Sequence, residues 1–164
     1  CNGVLHHTKN PYKAFQITVQ SLKNNGYILV GLYNKIGRVR TLVRKYLSKI
    51  FGIKFLELFD PTLKDLKLSE KEKKSWINDQ YFHPIESLHT LDEVLDWFKK
   101  NDIEYINSIP SCDFENFQNY ENIFKKKPKG DIHSRLFNQI SMIFNKLGSD
   151  GGLFIVIGKK NERN

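Results

Sequence analysis

Residues 22–33 read Leu22-Lys-Asn-Asn-Gly-Tyr-Ile-Leu-Val-Gly-Leu-Tyr33, and this stretch decides the fold. Asn24, Asn25 and Gly26 close a helix, because Asn and Gly accept the left-handed turn that ends one. The run from Tyr27 to Tyr33 is apolar, of strand length and without polar alternation, which predicts a strand buried on both faces. Upstream, Asn10 followed by Pro11 predicts a helix start, with an Asn N-cap and Pro at the first helical position. Phe15, Val19 and Leu22 recur at helical spacing, and Ala14 and Ile17 widen the stripe. Residues 1–8, Cys-Asn-Gly-Val-Leu-His-His-Thr, read as the tail of a strand entering a loop. Helix followed by buried strand is the rhythm of an α/β sheet.

Downstream, residues 35–51 predict an amphipathic helix. Ile36, Val39, Val43, Tyr46, Leu47 and Ile50 form the face expected to pack inward, with Arg38, Arg44, Lys45 and Lys49 turned away. Asp60-Pro61 marks a turn. Ser69 and Glu72 have the spacing of a capping box ahead of a helix carrying Trp76 and Ile77, and Thr90 with Glu93 repeats the pattern. In the helix after Thr90, Leu91, Val94, Leu95 and Phe98 supply the core face, with Trp97 at its flank. Residues 103–109 predict a strand ended by Pro110, residues 111–130 a lysine-rich excursion, residues 132–147 a helix and residues 153–157 a final buried strand.

Composition limits the function classes. The chain has 164 residues, 40% of them apolar and 27% charged, enough for one domain with a core and too apolar for wholesale disorder. No apolar run approaches the roughly 18–20 residues that cross a bilayer, and the first ten residues are polar and carry two histidines, unlike a signal peptide. Two cysteines, Cys1 and Cys112, make no disulfide framework, so a reducing, cytoplasmic setting is expected. The net charge of +8 admits an anionic partner, nucleic acid or a lipid surface. Of 26 basic residues 21 are Lys and five Arg, and the 15 Asn fit a general compositional bias; phosphate and base-edge recognition favours Arg, so nucleic acid is not the favoured partner.

The order Asn2-Gly-Val-Leu-His-His-Thr8, Pro11 and then Leu22-Lys-Asn-Asn-Gly-Tyr-Ile-Leu-Val-Gly-Leu-Tyr-Asn34 resembles the second half of class I S-adenosylmethionine-dependent methyltransferases. There a Gly-Val-Leu-His-His loop follows the fourth strand, and a helix ending Leu-Lys-x-Gly-Gly leads into the fifth; Asn25-Gly26 stands here for Gly-Gly. Asp79-Gln-Tyr-Phe-His-Pro-Ile-Glu-Ser-Leu-His-Thr90 and Gly151-Gly-Leu-Phe-Ile-Val-Ile-Gly158 look like a bacterial-type subgroup of these enzymes. The resemblance implies an α/β fold, the C-terminal part of a Rossmann-like seven-stranded sheet whose last strand is inserted antiparallel. Residues 1–164 would then be one partial domain, from the end of strand four to strand seven, with residues 35–90 as a helical lid over the substrate. It also implies a missing N-terminal half, because no G-x-G-x-G turn occurs in the chain. Cofactor binding and activity would require that half.

The same resemblance implies that Cys1, Asn2 and Gly3 line the methionine part of S-adenosyl-L-methionine, with His6 and His7 near the emerging methyl group. Histidine accepts a proton near neutral pH, so either ring is a candidate base for a hydroxyl or amine acceptor. Ligands of open α/β sheets lie beyond the carboxyl ends of strands, which adds Tyr33 and Asn34. Tyr81, His83, Glu86 and His89 fall within nine residues of the lid and suit a polar small molecule. The four histidines with Cys1 are numerous enough for a metal but lack zinc spacing, so no metal is expected. Cys112 has no activating neighbour in sequence, and no Gly-x-Ser-x-Gly supports a serine nucleophile. Two rival readings remain. One is a non-catalytic module using Arg38, Arg40, Arg44 and Lys125 to Lys127 on RNA or a lipid surface, and the other is a pairing subunit completed by a partner.

Overall fold

The computed structural model describes residues 1–64, 68–112, 123–144 and 152–162. Its three named strands are β1 (Tyr27–Tyr33), β2 (Ile103–Ile109) and β3 (Leu153–Lys160), in the order β1-β3-β2 with β3 antiparallel to both neighbours. The fold is thus mixed α/β around a small antiparallel sheet, and β1 and β2 run parallel to each other. Residues 1–3 extend the sheet past β1. The Cys1 amino group donates to the Leu29 carbonyl at 2.9 Å, Gly31 N–H to the Cys1 carbonyl at 3.0 Å and Gly3 N–H to the Gly31 carbonyl at 3.0 Å. This pairing is parallel, through a bridge between Asn2 and Gly31. A Cβ on Gly31 would lie 1.9 Å from Asn2 Oδ1, so the glycine is what lets the two backbones approach.

The described residues form six α-helices, α1 (Pro11–Gln20), α2 (Val39–Phe51), α3 (Lys54–Phe59), α4 (Glu70–Tyr81), α5 (Leu91–Lys100) and α6 (Ile132–Ser141), with a 3-10 turn at Leu5–His7. Local chemistry sets their starts as expected. Asn10 Oδ1 accepts from Lys13 N–H at 3.0 Å, and Ser69 and Glu72 form the reciprocal capping box. At α5 only half of the box forms. Thr90 Oγ1 accepts from Glu93 N–H at 3.2 Å, but the Glu93 carboxylate turns to His89 instead.

The main core joins Phe15 and Val19 of α1, Val30 and Leu32 of β1, Val94 and Phe98 of α5, and Phe154 and Val156 of β3. Trp97, expected at the flank, is buried with them, whereas Ile17 is exposed. The residues after α2 build a second, smaller core from Leu56, Leu63, Ile77 and Tyr81. Its centre is the buried Asp60 carboxylate, which accepts from Trp76 Nε1–H at 3.1 Å, Tyr81 O–H at 2.6 Å and Thr62 N–H at 2.8 Å. Between α2 and the Asp60-Pro61 turn lies α3, for which the sequence analysis predicts no element. Residues 113–122 of the lysine-rich excursion and residues 145–147 of the last helix lie outside the described residues.

One expectation reverses. The stripe assigned to the interior of α2 faces outward: Val39, Val43, Tyr46 and Ile50 are exposed, and the buried positions are Thr41 and Ser48. Arg38, expected in solvent, is completely buried. The rotation of the helix is set at its entry. Asn34 Oδ1 accepts from both Ile36 and Gly37 N–H at 2.9 Å, a local Asx turn that directs Arg38 inward. Thr41 and Ser48 follow three and ten residues later on the same face.

Gly158 of β3 lies where α5 crosses the sheet, and a Cβ there would sit 2.3 Å from Ile103 Cγ2 and 2.5 Å from Phe98 Cε2. Gly158→Ala is expected to overpack this contact and cost about 2 kcal/mol. Urea denaturation checks this as a lower midpoint at unchanged slope.

Candidate active site

The carboxyl end of β1 is where separate segments meet. Past Gly3 the N-terminal strand leaves the edge of β1, and the return of the insertion takes its place. His89 N–H donates to the Tyr33 carbonyl and Lys35 N–H to the His89 carbonyl, both at 2.9 Å, while Ser87 N–H donates to the His6 carbonyl at 2.9 Å. These backbone bonds bring His6, His7, Tyr33, His83, Glu86 and His89 together.

Arg38 is the pivot. Its Nε and Nη2 donate to the two Glu86 oxygens at 3.2 and 2.9 Å, Nη1 to Gln80 Oε1 at 2.8 Å and Nη2 to the Gln80 carbonyl at 3.0 Å. The guanidinium carbon lies 3.5 Å from the centre of the Tyr33 ring. Gln80 Nε2 in turn donates to the Tyr33 hydroxyl at 2.9 Å. Burial holds the Tyr33 hydroxyl pKa above its ordinary value, against the pull of Arg38 and Gln80. A forked carboxylate and a side-chain amide satisfy a charge that could not otherwise be buried.

Three imidazoles pack in succession beside this clamp, tilted against one another. His6 lies 4.3 Å from Tyr33 and 4.1 Å from His7, and His7 lies 3.8 Å from His83, all centre to centre. His7 Nδ1 is 2.9 Å and His83 Nδ1 2.6 Å from the same Ile85 carbonyl. A carbonyl only accepts, so the His7 contact places a proton on Nδ1, whereas His83 Nδ1 also lies 3.3 Å from the Ile85 N–H. His6 is different: it is 1% exposed, and neither ring nitrogen has a hydrogen-bond partner in the protein. Burial, then the neighbouring His7 and Arg38, push its pKa down to about 3. It is therefore neutral at physiological pH and a weak base.

The remaining expected site residues are held elsewhere or otherwise engaged. Asn34 is buried and serves the Asx turn, with its Nδ2 donating to Gln139 Oε1 at 2.9 Å. Tyr81 belongs to the second core, its hydroxyl bonded to Asp60 and its pKa raised by burial. His89 bridges the Glu93 carboxylate at 2.9 Å and the Ser87 hydroxyl at 2.8 Å, and Ser87 Oγ also lies 3.3 Å from the His6 carbonyl. The chain Glu93–His89–Ser87–His6 ties α5 to the His6 loop. Cys1 and Asn2 are exposed beside β1, upstream of the histidines. Among the described residues no three His, Cys, Asp or Glu side chains converge as for a metal.

Arg38, Gln80, Ser87 and Glu93 were not expected here. Arg38 lay within an apparently solvated basic face, and Glu93 within an apparent capping box. The basic residues grouped in the sequence reading are not all on the surface. Arg38 and Lys127 are buried and Lys126 pairs with Glu104, so these residues do not form one exposed patch.

Glu86→Ala would strand the buried Arg38 charge and is expected to lower unfolding free energy by about 3 kcal/mol in urea titrations. His6 gives a pH signature. Between about 3 and its ordinary value of 6.5, the unfolded chain binds a proton that folded His6 refuses, so stability falls as pH drops through that window. His6→Phe keeps a ring and removes this loss. Its stability relative to the parent is expected to rise by roughly 2 kcal/mol between about pH 6.5 and about pH 4.5, measured by chemical denaturation.

No protein-family model and no curated protein sequence matches this chain.

Proposed function

We propose that this chain forms the C-terminal part of a class I enzyme that transfers a methyl group from S-adenosyl-L-methionine to a small-molecule acceptor. The observation that carries the reading is the strand arrangement. The end of a parallel strand at residues 1–3 lies beside β1, and the last strand, β3, is antiparallel between β1 and β2. An antiparallel last strand in an otherwise parallel sheet is what the methyltransferase resemblance implies.

The chemistry at the end of β1 suits this donor. Gly3 has φ +73° and open space where a Cβ would be, so the backbone of Cys1, Asn2 and Gly3 would hold the methionine part of the cofactor without side-chain obstruction. When bound, the cofactor supplies an electrophilic methyl carbon on a sulfonium. A cationic donor favours a site with little positive charge of its own. His6 is neutral, and the Arg38 charge is offset by Glu86.

The chain's own residues then align and deprotonate the acceptor. The unpartnered nitrogens of His6 orient an acceptor hydroxyl or amine, in place of an unsatisfied polar group that costs about 1–3 kcal/mol. His7 accepts the acceptor's proton at Nε2 while Nδ1–H stays on the Ile85 carbonyl. Tyr33, fixed by Arg38 and Gln80, forms an aromatic wall, and His83 packs behind His7. Alignment of nucleophile, methyl carbon and sulfur supplies most of the acceleration.

Titration calorimetry of the intact, folded protein with S-adenosyl-L-methionine is expected to give a dissociation constant at or below about micromolar affinity, some −8 kcal/mol. No heat from the folded protein overturns the reading. In methyl-transfer assays, His7→Ala is expected to lower kcat about 100-fold with KM nearly constant.

A further inference from the structure

The outward face of α2 and α3 has no role in the site. Val39, Leu42, Val43, Tyr46 and Ile50 form its stripe along α2, and Phe51, Ile53, Leu58 and Phe59 extend it across α3, all exposed. Phe51, Phe55 and Phe59 stack in succession, with ring centres 5.8 and 4.5 Å apart, so the two helices present one continuous surface. Scattered exposed apolar residues need no explanation, but a contiguous strip with several aromatics marks a contact surface.

Charge identifies the occupant. α2 contains no acidic residue and carries Arg40, Lys45 and Lys49 around the stripe, with Arg44 turned to the Tyr81 hydroxyl, Lys54 opening α3 and Glu57 the single acid there. Arg40 and Lys49 are exposed on opposite flanks of the apolar strip. A second copy would bring two such basic rims together in a protein already at net +8, which electrostatics opposes. A strip this rich in exposed aliphatic and aromatic side chains is also unlike a nucleic-acid groove, which tracks phosphates with basic residues. An apolar strip flanked by basic residues fits the plane between lipid headgroups and acyl chains, with the cations at anionic headgroups. No described helix is long and apolar enough to cross a membrane, so the contact is one of lying on the surface.

We propose that the α2–α3 face docks this protein on an anionic lipid surface. The inference rests on exposure and charge alone and stands apart from the methyl-transfer reading. Arg38 rotates α2 so that Thr41 and Ser48 pack inward and the apolar stripe faces out, so the fold itself presents this surface.

Vesicle co-sedimentation of the intact protein tests it, comparing phosphatidylcholine alone with phosphatidylcholine containing about 30 mol% phosphatidylglycerol. The anionic vesicles are expected to bind at least about tenfold more tightly, and the gain to fall as salt screens the headgroups. Ile50→Glu with Phe51→Glu, both at exposed positions, is expected to reduce binding about tenfold or more, while Ile17→Glu on α1 leaves it unchanged. Circular dichroism of each variant confirms that the fold is retained. The proposal is overturned by equal binding to both vesicle types. It is also overturned if the double variant binds as the parent does, if that variant instead dissociates a dimer seen by size-exclusion chromatography, or if it abolishes binding to single-stranded RNA while vesicles bind nothing.

Discussion

A single buried cation organises this molecule. Arg38 has no contact with water, and its guanidinium joins four pieces of chain that are distant in sequence: the end of β1 through Tyr33, the end of α4 through Gln80, the return segment through Glu86, and the start of α2, on which it sits. Bringing an arginine into a low-dielectric interior is costly unless charge and hydrogen bonds are met together. Here the carboxylate and the amide meet them, and each of those groups is thereby fixed. The insertion between β1 and β2 is therefore tied to the sheet by a polar clamp, separate from its own small core around Asp60.

The clamp also sets what the neighbouring aromatic groups can do. Tyr33 is held at its ring by Arg38 and at its hydroxyl by Gln80, leaving little freedom to rotate. His6 packs on the same ring without a polar partner of its own, in surroundings that keep it uncharged. Glu93 and His89 hold the opposite side of the loop through Ser87. Polar contacts thus hold both sides of one imidazole whose own nitrogens have no partner among the described residues.

Much of this was legible in the sequence, and the failures have a common cause. The strand at Tyr27–Tyr33, the caps at Asn10 and Ser69 and the core of α5 all follow from local periodicity and short-range hydrogen bonding. From sequence, His6, His7 and Tyr33 fell beyond strand ends and His83, Glu86 and His89 in the lid, and backbone bonds bring these six residues together. What escaped was set by tertiary contact. Periodicity places the apolar stripe of α2 on one face but carries no information about which face turns inward. That was decided by an Asx turn at Asn34 and by the polar partners waiting for Arg38. Glu93 satisfied a capping pattern, yet a nearby imidazole competed successfully for its carboxylate. Tyr81 and Asn34, read from sequence as substrate contacts, hydrogen-bond to Asp60 and Gln139, partners that periodicity does not reveal.

The shared carbonyl of Ile85 has a consequence for proton traffic. His7 and His83 both reach that one oxygen through Nδ1, and the carbonyl has no proton to pass between them. Both nitrogens of His6 are likewise unconnected to any protein donor or acceptor. The Ile85 oxygen is thus a dead end for charge between the two rings, and a displacement of that one residue would move both imidazoles together.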